Sequence, residues 1–171
     1  MVTLFSAQVM GLDATIISVE VDLSPGLHIF SIVGLADKEV QESRERIGVA
    51  IRSIGARPPH KKSERLIVNL APADIKKEGP AFALPIALAY LLAAQEIRFD
   101  PAGRLFLGEL SLGGELQPLK GALLLARGAR EAGFKELYLP LENAREAALI
   151  EGISVFGART LKDVVAHINE K

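Results

Sequence analysis

The sequence contains no cysteine and no tryptophan, and aromatic residues make up only 5% of it. Without cysteine the chain has no disulfide framework, no thiolate chemistry and no cysteine-based zinc site. Its three histidines, His28, His60 and His167, are far apart and lack the spacing of metal ligands. The sequence therefore predicts no metal site in this chain. The scarcity of aromatic side chains also gives no support to recognition of nucleic acid by base stacking.

The sequence also lacks an excess of charge of one sign. It has 20 Lys and Arg against 21 Asp and Glu, a net charge of −1, so it has no overall attraction to nucleic acid. It shows no signal peptide and no apolar run long enough to cross a bilayer, so we expect a cytoplasmic protein without a membrane partner. A chain of 171 residues that is 49% hydrophobic and 24% charged predicts one globular domain.

The order of the apolar patterns predicts an α+β fold with helices packed on a mixed sheet. Two strands over 3–10 and 14–23 are joined by a turn at Gly11-Leu12-Asp13, and a third strand over 27–33 would complete an antiparallel meander. Asp37 can cap the helix that follows. The other predicted elements are helices over 38–54, 84–94, 119–132, 143–150 and 161–168 and strands over 65–70, 105–112, 137–139 and 153–156.

The segment 84–94 is apolar on every side, and a helix without a polar face must be buried on several sides. At about 1.5 Å per residue it is roughly 18 Å long, which is too short to span a bilayer. Pro85 fits because a residue in the first helical turn needs no N–H donor. We therefore expect this segment to be the central core helix of the domain.

The stretch that leads into this helix, LAPADIKKEGPAFALPIAL over 70–88, resembles the signature LAPAD-x-x-KEG-x-x-F-D-LPIA. That signature is typical of the ComM/YifB family of magnesium-chelatase-like AAA+ ATPases. Similar blocks lie at 26–35 and 107–116, so the resemblance covers nearly the whole chain. One position departs from the signature, because Ala83 stands where the family usually has Asp.

The resemblance implies a Lon-protease-like form of the ribosomal protein S5 domain 2-like fold over 1–171. It also implies that the natural protein continues into an AAA+ ATPase module, which would bind ATP and Mg²⁺ and form a hexamer when active. Family members act on DNA and promote branch migration, a step of DNA recombination, during natural transformation. By this resemblance the present chain is a non-catalytic accessory domain, and its partners are its own ATPase module and the neighbouring subunits.

The turn at Gly79-Pro80 more distantly resembles the nucleophile region of Lon-type peptidases, which use a serine and an activating lysine. The serine position falls on Ala81 and the lysine position on Leu125, while Lys120 lies five residues too early. We therefore expect no catalytic residue, and a Ser-Lys peptidase is the least favoured alternative.

No Walker A sequence occurs in the chain, so we expect no cofactor bound to this domain. Free N–H groups at the start of the central helix are a possible anion site. A plain buried helix start is the favoured interpretation.

A basic segment over 44–62 suggests weak contacts with nucleic acid phosphates. Glutamates alternate with these residues, so a solvated, salt-bridged surface is the favoured interpretation, with Glu42 and Arg46 as an i,i+4 pair. A stand-alone nucleic-acid-binding module of S5-like fold stays open as the alternative function. The candidate contact residues are Arg44, Arg46, Arg57, Lys61 and Lys62.

Overall fold

The computed structural model describes residues 1–59 and 63–170 and confirms an α+β fold with a mixed sheet. The strands are β1 (Val2–Met10), β2 (Asp13–Pro25), β3 (Ile29–Val33), β4 (Glu64–Ala71), β5 (Arg104–Phe106), β6 (Glu109–Leu110), β7 (Leu116–Gln117), β8 (Glu136–Pro140) and β9 (Ser154–Ala158). The helices are α1 (Lys38–Ser53), α2 (Ala83–Ala93), α3 (Ala122–Glu131), α4 (Leu141–Ala147) and α5 (Leu161–Ile168), and a 3₁₀ turn, Pro80–Phe82, precedes α2.

The main sheet has seven strands in the order β3-β4-β2-β1-β5-β8-β9. Its centre is antiparallel, because β2 runs opposite to both β1 and β4. The remaining pairs, β3 with β4, β1 with β5, β5 with β8 and β8 with β9, are parallel. The short strands β6 and β7 form a separate antiparallel pair.

The predicted antiparallel meander of the first three strands is wrong. The third strand, β3, pairs with β4 in parallel, and β4 occupies the place beside β2. Burial explains the order: β4 buries every second residue, Leu66, Val68 and Leu70, whereas β3 buries only Ile32. The strand with the stronger apolar pattern therefore lies inside the sheet, and the weaker one forms its edge.

The predicted strand over 105–112 is interrupted at Gly108. The Gly108 N–H donates to the carbonyl of Ala81 at 2.9 Å, and its own carbonyl accepts from the N–H of Leu84 at 2.9 Å. A Cβ at Gly108 would lie 2.5 Å from a methyl carbon of Leu116 and 3.3 Å from the Leu84 Cβ. The chain thus leaves the sheet to pack against the start of α2, and only glycine permits this approach.

The prediction of a central core helix is confirmed. Every residue of α2 from Ala83 to Leu91 is buried, and α2 packs against the sheet together with α1. A second core cluster lies beneath α3 and includes Ala7 and Leu125. Ala83, the position where the family signature has Asp, is fully buried at the start of α2.

The other helices follow their predictions with shifts at the ends. Asp37 caps α1 through a hydrogen bond from the Val40 N–H, and α5 has its predicted bounds. The helix α3 begins at Ala122 instead of residue 119, because Gly121 adopts a left-handed conformation that ends the preceding segment. Within the described residues, none of the helices combines the length and the apolar character needed to cross a membrane.

Candidate functional site

A cavity of about 460 Å³ opens where β1, the 78–82 turn, the segment 118–120 and α3 meet. Its volume lies in the range of ligand-binding pockets. Much of its wall is apolar, and four charged residues join that wall. The charged residues are Glu39, Glu78, Glu109 and Lys120.

The cavity brings together the two positions that the sequence resemblance assigns to the Lon-type dyad. Ala81 and Leu125 both line it, although they are far apart in the sequence. Lys120 lines the same cavity. Neither Ala81 nor Leu125 carries a group that can act as a nucleophile or as a base. The geometry is therefore that of a pocket with apolar side chains at both dyad positions.

The side chain of Gln8 holds one wall of the cavity in place. Its Nε2 donates to the carbonyl of Lys76 at 2.9 Å, and its Oε1 accepts from the N–H of Glu78 at 2.7 Å. One side chain on β1 thus bonds both backbone groups that flank Lys77. These bonds fix the loop at the rim of the cavity relative to the sheet.

Lys77 is fully buried behind this loop. Its Nζ donates to the carbonyl of Gly34 at 2.6 Å and also to the carbonyl of Pro72. Burial lowers the pKa of Lys77 below its usual value, and the nearby Asp74 carboxylate opposes that shift. A Cβ at Gly34 would lie 2.1 Å from the Leu70 carbonyl oxygen, so glycine is required where the Gly34 carbonyl meets the ammonium.

Asp37 connects the same loop to α1. One carboxylate oxygen accepts from the Val40 N–H at 2.8 Å, and the other accepts from the Gly79 N–H at 3.1 Å. The Asp37 N–H donates to the Lys77 carbonyl at 3.0 Å. The residue predicted as a simple helix cap therefore also positions the glycine that begins the 3₁₀ turn.

The start of α2 is largely occupied by the chain itself. The Leu84 N–H donates to Gly108, and the Ala83 N–H donates to Pro80 in the 3₁₀ turn. This agrees with a plain buried helix start, the favoured interpretation of this segment. No cluster of three or more His, Asp or Glu residues with the geometry of a metal site occurs in residues 1–59 and 63–170.

The basic residues predicted to contact nucleic acid lie on α1 and beyond its end, as far as the structure describes them. Arg44 lies on α1, and its guanidinium donates to the backbone carbonyls of Gln41 and Phe30 at 3.0 Å each. Arg46 is half-buried, and Arg57 is exposed beyond the end of α1. The remaining two predicted contacts, Lys61 and Lys62, lie outside the described residues.

Glu42 of α1 forms an ion pair with a residue other than the predicted one. Glu42 lies 3.8 Å from the Nζ of Lys38 in an exposed i,i+4 ion pair, whereas it was expected to pair with Arg46. Arg46 is half-buried and Lys38 is exposed, so the ammonium reaches the exposed Glu42 carboxylate more freely. This ion pair of α1 lies outside the basic segment 44–62, for which the salt-bridged surface stays a prediction.

Sequence reasoning assigned no role to Gln8 and placed Lys77 in a polar turn. No local pattern distinguishes the buried Lys77 from the exposed Lys76 beside it. Their difference arises from tertiary contacts with residues around position 34. The KEG part of the family signature was the only available signal that this turn is special.

The chain is similar to known proteins over most of its length. The family model described as "Subunit ChlI of Mg-chelatase" matches residues 19–143. The competence protein ComM of Haemophilus influenzae is 36% identical over 166 residues, which is 96% of this chain and 32% of ComM. The YifB protein of Escherichia coli is 37% identical over 163 residues, 95% of this chain and 31% of YifB.

A weaker match reaches the Lon proteases. Lon protease 4 of Sorangium cellulosum is 29% identical over 138 residues, which is 77% of this chain and 17% of that protease. The chain spans about a third of the length of ComM and YifB.

Proposed function

Because the chain belongs to the family of the ChlI subunit of Mg-chelatase, with ComM- and YifB-like proteins as relatives, we propose that it is a non-catalytic accessory domain of an AAA+ ATPase that acts on DNA. The single observation that carries the non-catalytic part is the cavity with Ala81 and Leu125 at the two dyad positions. The same pocket that would hold a nucleophile and its base holds a methyl group and an isobutyl group.

The DNA-related part of the proposal rests on sequence similarity to the relatives. One relative carries the name of a competence protein, which supports a role in natural transformation and DNA recombination. We include in the proposal a hexameric assembly, contacts with the protein's own ATPase module and with neighbouring subunits, and a cytoplasmic location. The chain contains no Walker A sequence, so ATP and Mg²⁺ would be bound by the ATPase module.

The S5 domain 2-like form of the fold belongs to the same proposal. The α+β architecture with a buried helix against a mixed sheet is compatible with it, and the Lon protease match supports it. We treat residues 1–171 as one such domain, since the seven-stranded sheet runs from β1 to β9.

The peptidase test uses the isolated chain and an unfolded protein substrate. We expect no turnover and no labelling by a serine-reactive probe, because Ala81 offers no hydroxyl and Leu125 offers no amine. The double variant Ala81→Ser, Leu125→Lys serves as a comparison, since it restores both side-chain types at the same cavity. Turnover by the wild-type chain would overturn the non-catalytic part of the proposal.

The architecture is tested on the natural gene product. We expect its coding sequence downstream of Lys171 to contain a Walker A motif. We also expect the purified protein to hydrolyse ATP while the isolated chain does not. A natural product without a nucleotide-binding module would overturn the accessory role but would leave the peptidase result unaffected.

A further inference from the structure

The strand β9 is one edge of the seven-stranded sheet. It pairs in parallel with β8, and within residues 1–59 and 63–170 no other strand lies beside it. The Ser154 N–H donates to the carbonyl of Lys135 at 2.9 Å, so Ser154 directs its backbone groups toward β8. This direction alternates along a strand, so the N–H and C=O groups of Val155 and Gly157 point away from the sheet. Among the described residues, these groups make no backbone hydrogen bond.

This edge lacks the usual protection against a further strand. The segment Ser154–Ala158 contains no charged residue and no proline. The opposite edge of the sheet differs, because the β3 carbonyls of Phe30 and Ile32 accept from Arg44 and Gln41 of α1. Natural edge strands are normally blunted by such side chains, by charge or by a covering element. The β9 edge is therefore open to strand pairing.

A row of aromatic rings crosses the sheet and ends at this edge. Phe106, Tyr138 and Phe156 occupy matching positions on β5, β8 and β9, with ring centroids 4.9 Å and 5.0 Å apart. Those distances are close to the spacing of neighbouring strands. A cavity of about 300 Å³ opens beside Phe156 and is also lined by Val164 and His167 of α5. An aromatic residue at the matching position of an added strand would continue the row.

The other face of the same edge carries an exposed leucine. Leu141, at the start of α4, is 42% exposed. It lies close to Gly157, because a Cβ at Gly157 would be 2.9 Å from a methyl carbon of Leu141 and 3.0 Å from its Cα. In an antiparallel pair, residues directly opposite each other point to the same face of the sheet. The side chain opposite Gly157 on an added strand would therefore pack on Leu141.

A second copy of β9 fits both faces. In an antiparallel pair with a two-fold axis at Phe156, Val155 of each copy lies opposite Gly157 of the other, and the outward backbone groups exchange hydrogen bonds. The two Phe156 rings then lie opposite each other and continue the aromatic row. Each Val155 packs on Leu141 of the other copy. Because the strand carries no charge, two copies meet without placing like charges opposite each other.

We propose that two copies of this chain associate through their β9 edges, antiparallel and about a two-fold axis at Phe156, so that their sheets become continuous. A contact built on two short strands buries little surface, so we expect a dissociation constant of roughly 10–100 µM. The inference does not rest on the proposed function. A two-fold contact differs from the head-to-tail contacts of a ring, so either one can fail while the other stands.

Sedimentation equilibrium of the chain over about 5–500 µM measures the association, and we expect the average mass to rise toward that of two copies. Val155→Pro removes an outward N–H and no bond to β8, so it should weaken association at least about tenfold. Phe156→Lys places like charges opposite each other and should weaken it at least about as much. Leu12→Lys is the matched control at a residue that is 83% exposed in the β1–β2 turn, and it should associate as the wild type does. Urea denaturation verifies that each variant is folded.

A charge exchange tests the symmetry of the contact. Phe156→Lys and Phe156→Glu should each associate weakly alone, because each meets its own charge across the axis. An equimolar mixture of the two should associate at least about tenfold more tightly than either variant, since unlike charges then lie opposite each other. Non-specific aggregation through an apolar surface would not show this rescue.

Cross-linking tests the register. The chain contains no cysteine, so Phe156→Cys introduces a single thiol. Directly opposite residues of a non-hydrogen-bonded pair have Cα atoms about 4.5 Å apart, which is within the reach of a disulfide. Ser154→Cys is the control, because the two copies of Ser154 would be roughly 13 Å apart. Mild oxidation should cross-link Phe156→Cys at least about tenfold more than Ser154→Cys.

Three results would overturn the inference. The first is a wild-type chain that stays a single copy at about 500 µM. The second is association that Val155→Pro leaves unchanged, and the third is equal cross-linking of Phe156→Cys and Ser154→Cys. If Phe156→Lys does not fold, Val155→Pro and the cross-linking pair decide the question.

Discussion

Two regions of the molecule arise in opposite ways: the basic surface of α1, formed by Arg44 and Arg46, and the cavity beside β1. The basic surface comes from one short stretch of sequence, yet Arg44 uses its donors on Gln41 and Phe30. The cavity comes from distant segments, and its wall is held by Gln8 and Asp37 through backbone bonds. Clustering in sequence thus produced a helix surface, whereas convergence in space produced a pocket.

Arg44 on α1 has a structural role that explains its position. The strand β3 is an edge of the sheet, and its carbonyls at Phe30 and Ile32 accept from Arg44 and Gln41. Side chains of α1 therefore satisfy groups that would otherwise offer an edge for pairing.

The largest expected effect comes from the helix behind the cavity. Leu88 is fully buried in α2, so Leu88→Ala should lower the free energy of unfolding by about 2–5 kcal/mol. Leu149→Ala is the matched control, because that leucine is 73% exposed and should change stability by less than about 0.5 kcal/mol. Urea denaturation measures both. A loss below about 1 kcal/mol at Leu88 would show that α2 is not the core element.

The next effect tests the buried ammonium at the cavity loop. Lys77→Met keeps much of the volume but leaves the carbonyls of Gly34 and Pro72 without their donor, which should cost about 2–4 kcal/mol. The neighbour provides the control: Lys76 is exposed and makes only a long contact with Glu78, so Lys76→Met should be nearly neutral. Equal effects of the two substitutions would contradict a stabilising role for the hydrogen bonds of Lys77 to Gly34 and Pro72.

The pH dependence of the same variant gives a second measurement. The folded pKa of Lys77 is lowered, so between that pKa and about 10.5 the unfolded chain binds more protons than the folded one. Lys77 therefore makes the wild type gain stability as the pH rises through this window. Lys77→Met should lack that gain when the two proteins are compared at each pH.

A smaller effect concerns the contact between the core and the basic segment. The Tyr90 hydroxyl of α2 donates to the Arg57 carbonyl at 2.8 Å, and Tyr90→Phe should cost about 0.5–1.5 kcal/mol at neutral pH. Burial, with smaller contributions from Glu64 and Glu96, raises the pKa of Tyr90 to about 12. Since the unfolded value is about 10, this stabilisation is complete below pH 10 and is lost as the pH rises toward 12.

Absorbance of the phenolate provides the measurement. The chain has two tyrosines, and burial together with Glu136 also raises the pKa of Tyr138. The folded protein should therefore show almost no phenolate at pH 10, whereas the chain unfolded in urea should be about half ionised there. A folded protein that ionises one tyrosine near pH 10 would contradict the burial of Tyr90 or Tyr138.

The sequence was sufficient for what depends on local pattern. The apolar run of α2, the cap at Asp37 and the bounds of α5 all follow from periodicity and capping chemistry. The place of β3 did not, because strand order depends on which of two strands buries more surface against the core. The family resemblance supplied the two dyad positions, and only the fold could show that Ala81 and Leu125 line the same cavity.

The interruption of the predicted strand 105–112 was also beyond the sequence. It exists because Gly108 turns the chain after β5 toward the start of α2. A glycine in a strand pattern indicates a bulge or a close approach, but it does not show which neighbour the chain approaches. The role of Gln8 depends on the same kind of long-range contact and has no signature in the residues around it.

The smallest expected effect is the binding of DNA by the basic surface. Arg46 is half-buried, glutamates lie among the basic residues of 44–62 and the net charge of the chain is −1, so the attraction to phosphates is weak. Non-specific affinities of about 10⁻⁴–10⁻⁶ M need several uncompensated cations on one surface. We therefore expect at most weak binding of single- or double-stranded DNA at about 50 mM salt, and none at about 200 mM.

Two multiple-substitution variants locate the residues that contact DNA. Lys61 and Lys62, both changed to alanine, should remove the weak binding, because the sequence places them just after Pro58-Pro59. Arg44, Arg46 and Arg57, all changed to alanine, should affect binding less, although their loss changes the net charge by more. Submicromolar binding at about 200 mM salt would instead favour a stand-alone nucleic-acid-binding module. A larger loss from the arginines would show that α1 forms a binding surface after all, and the contrast between helix and cavity would then fail.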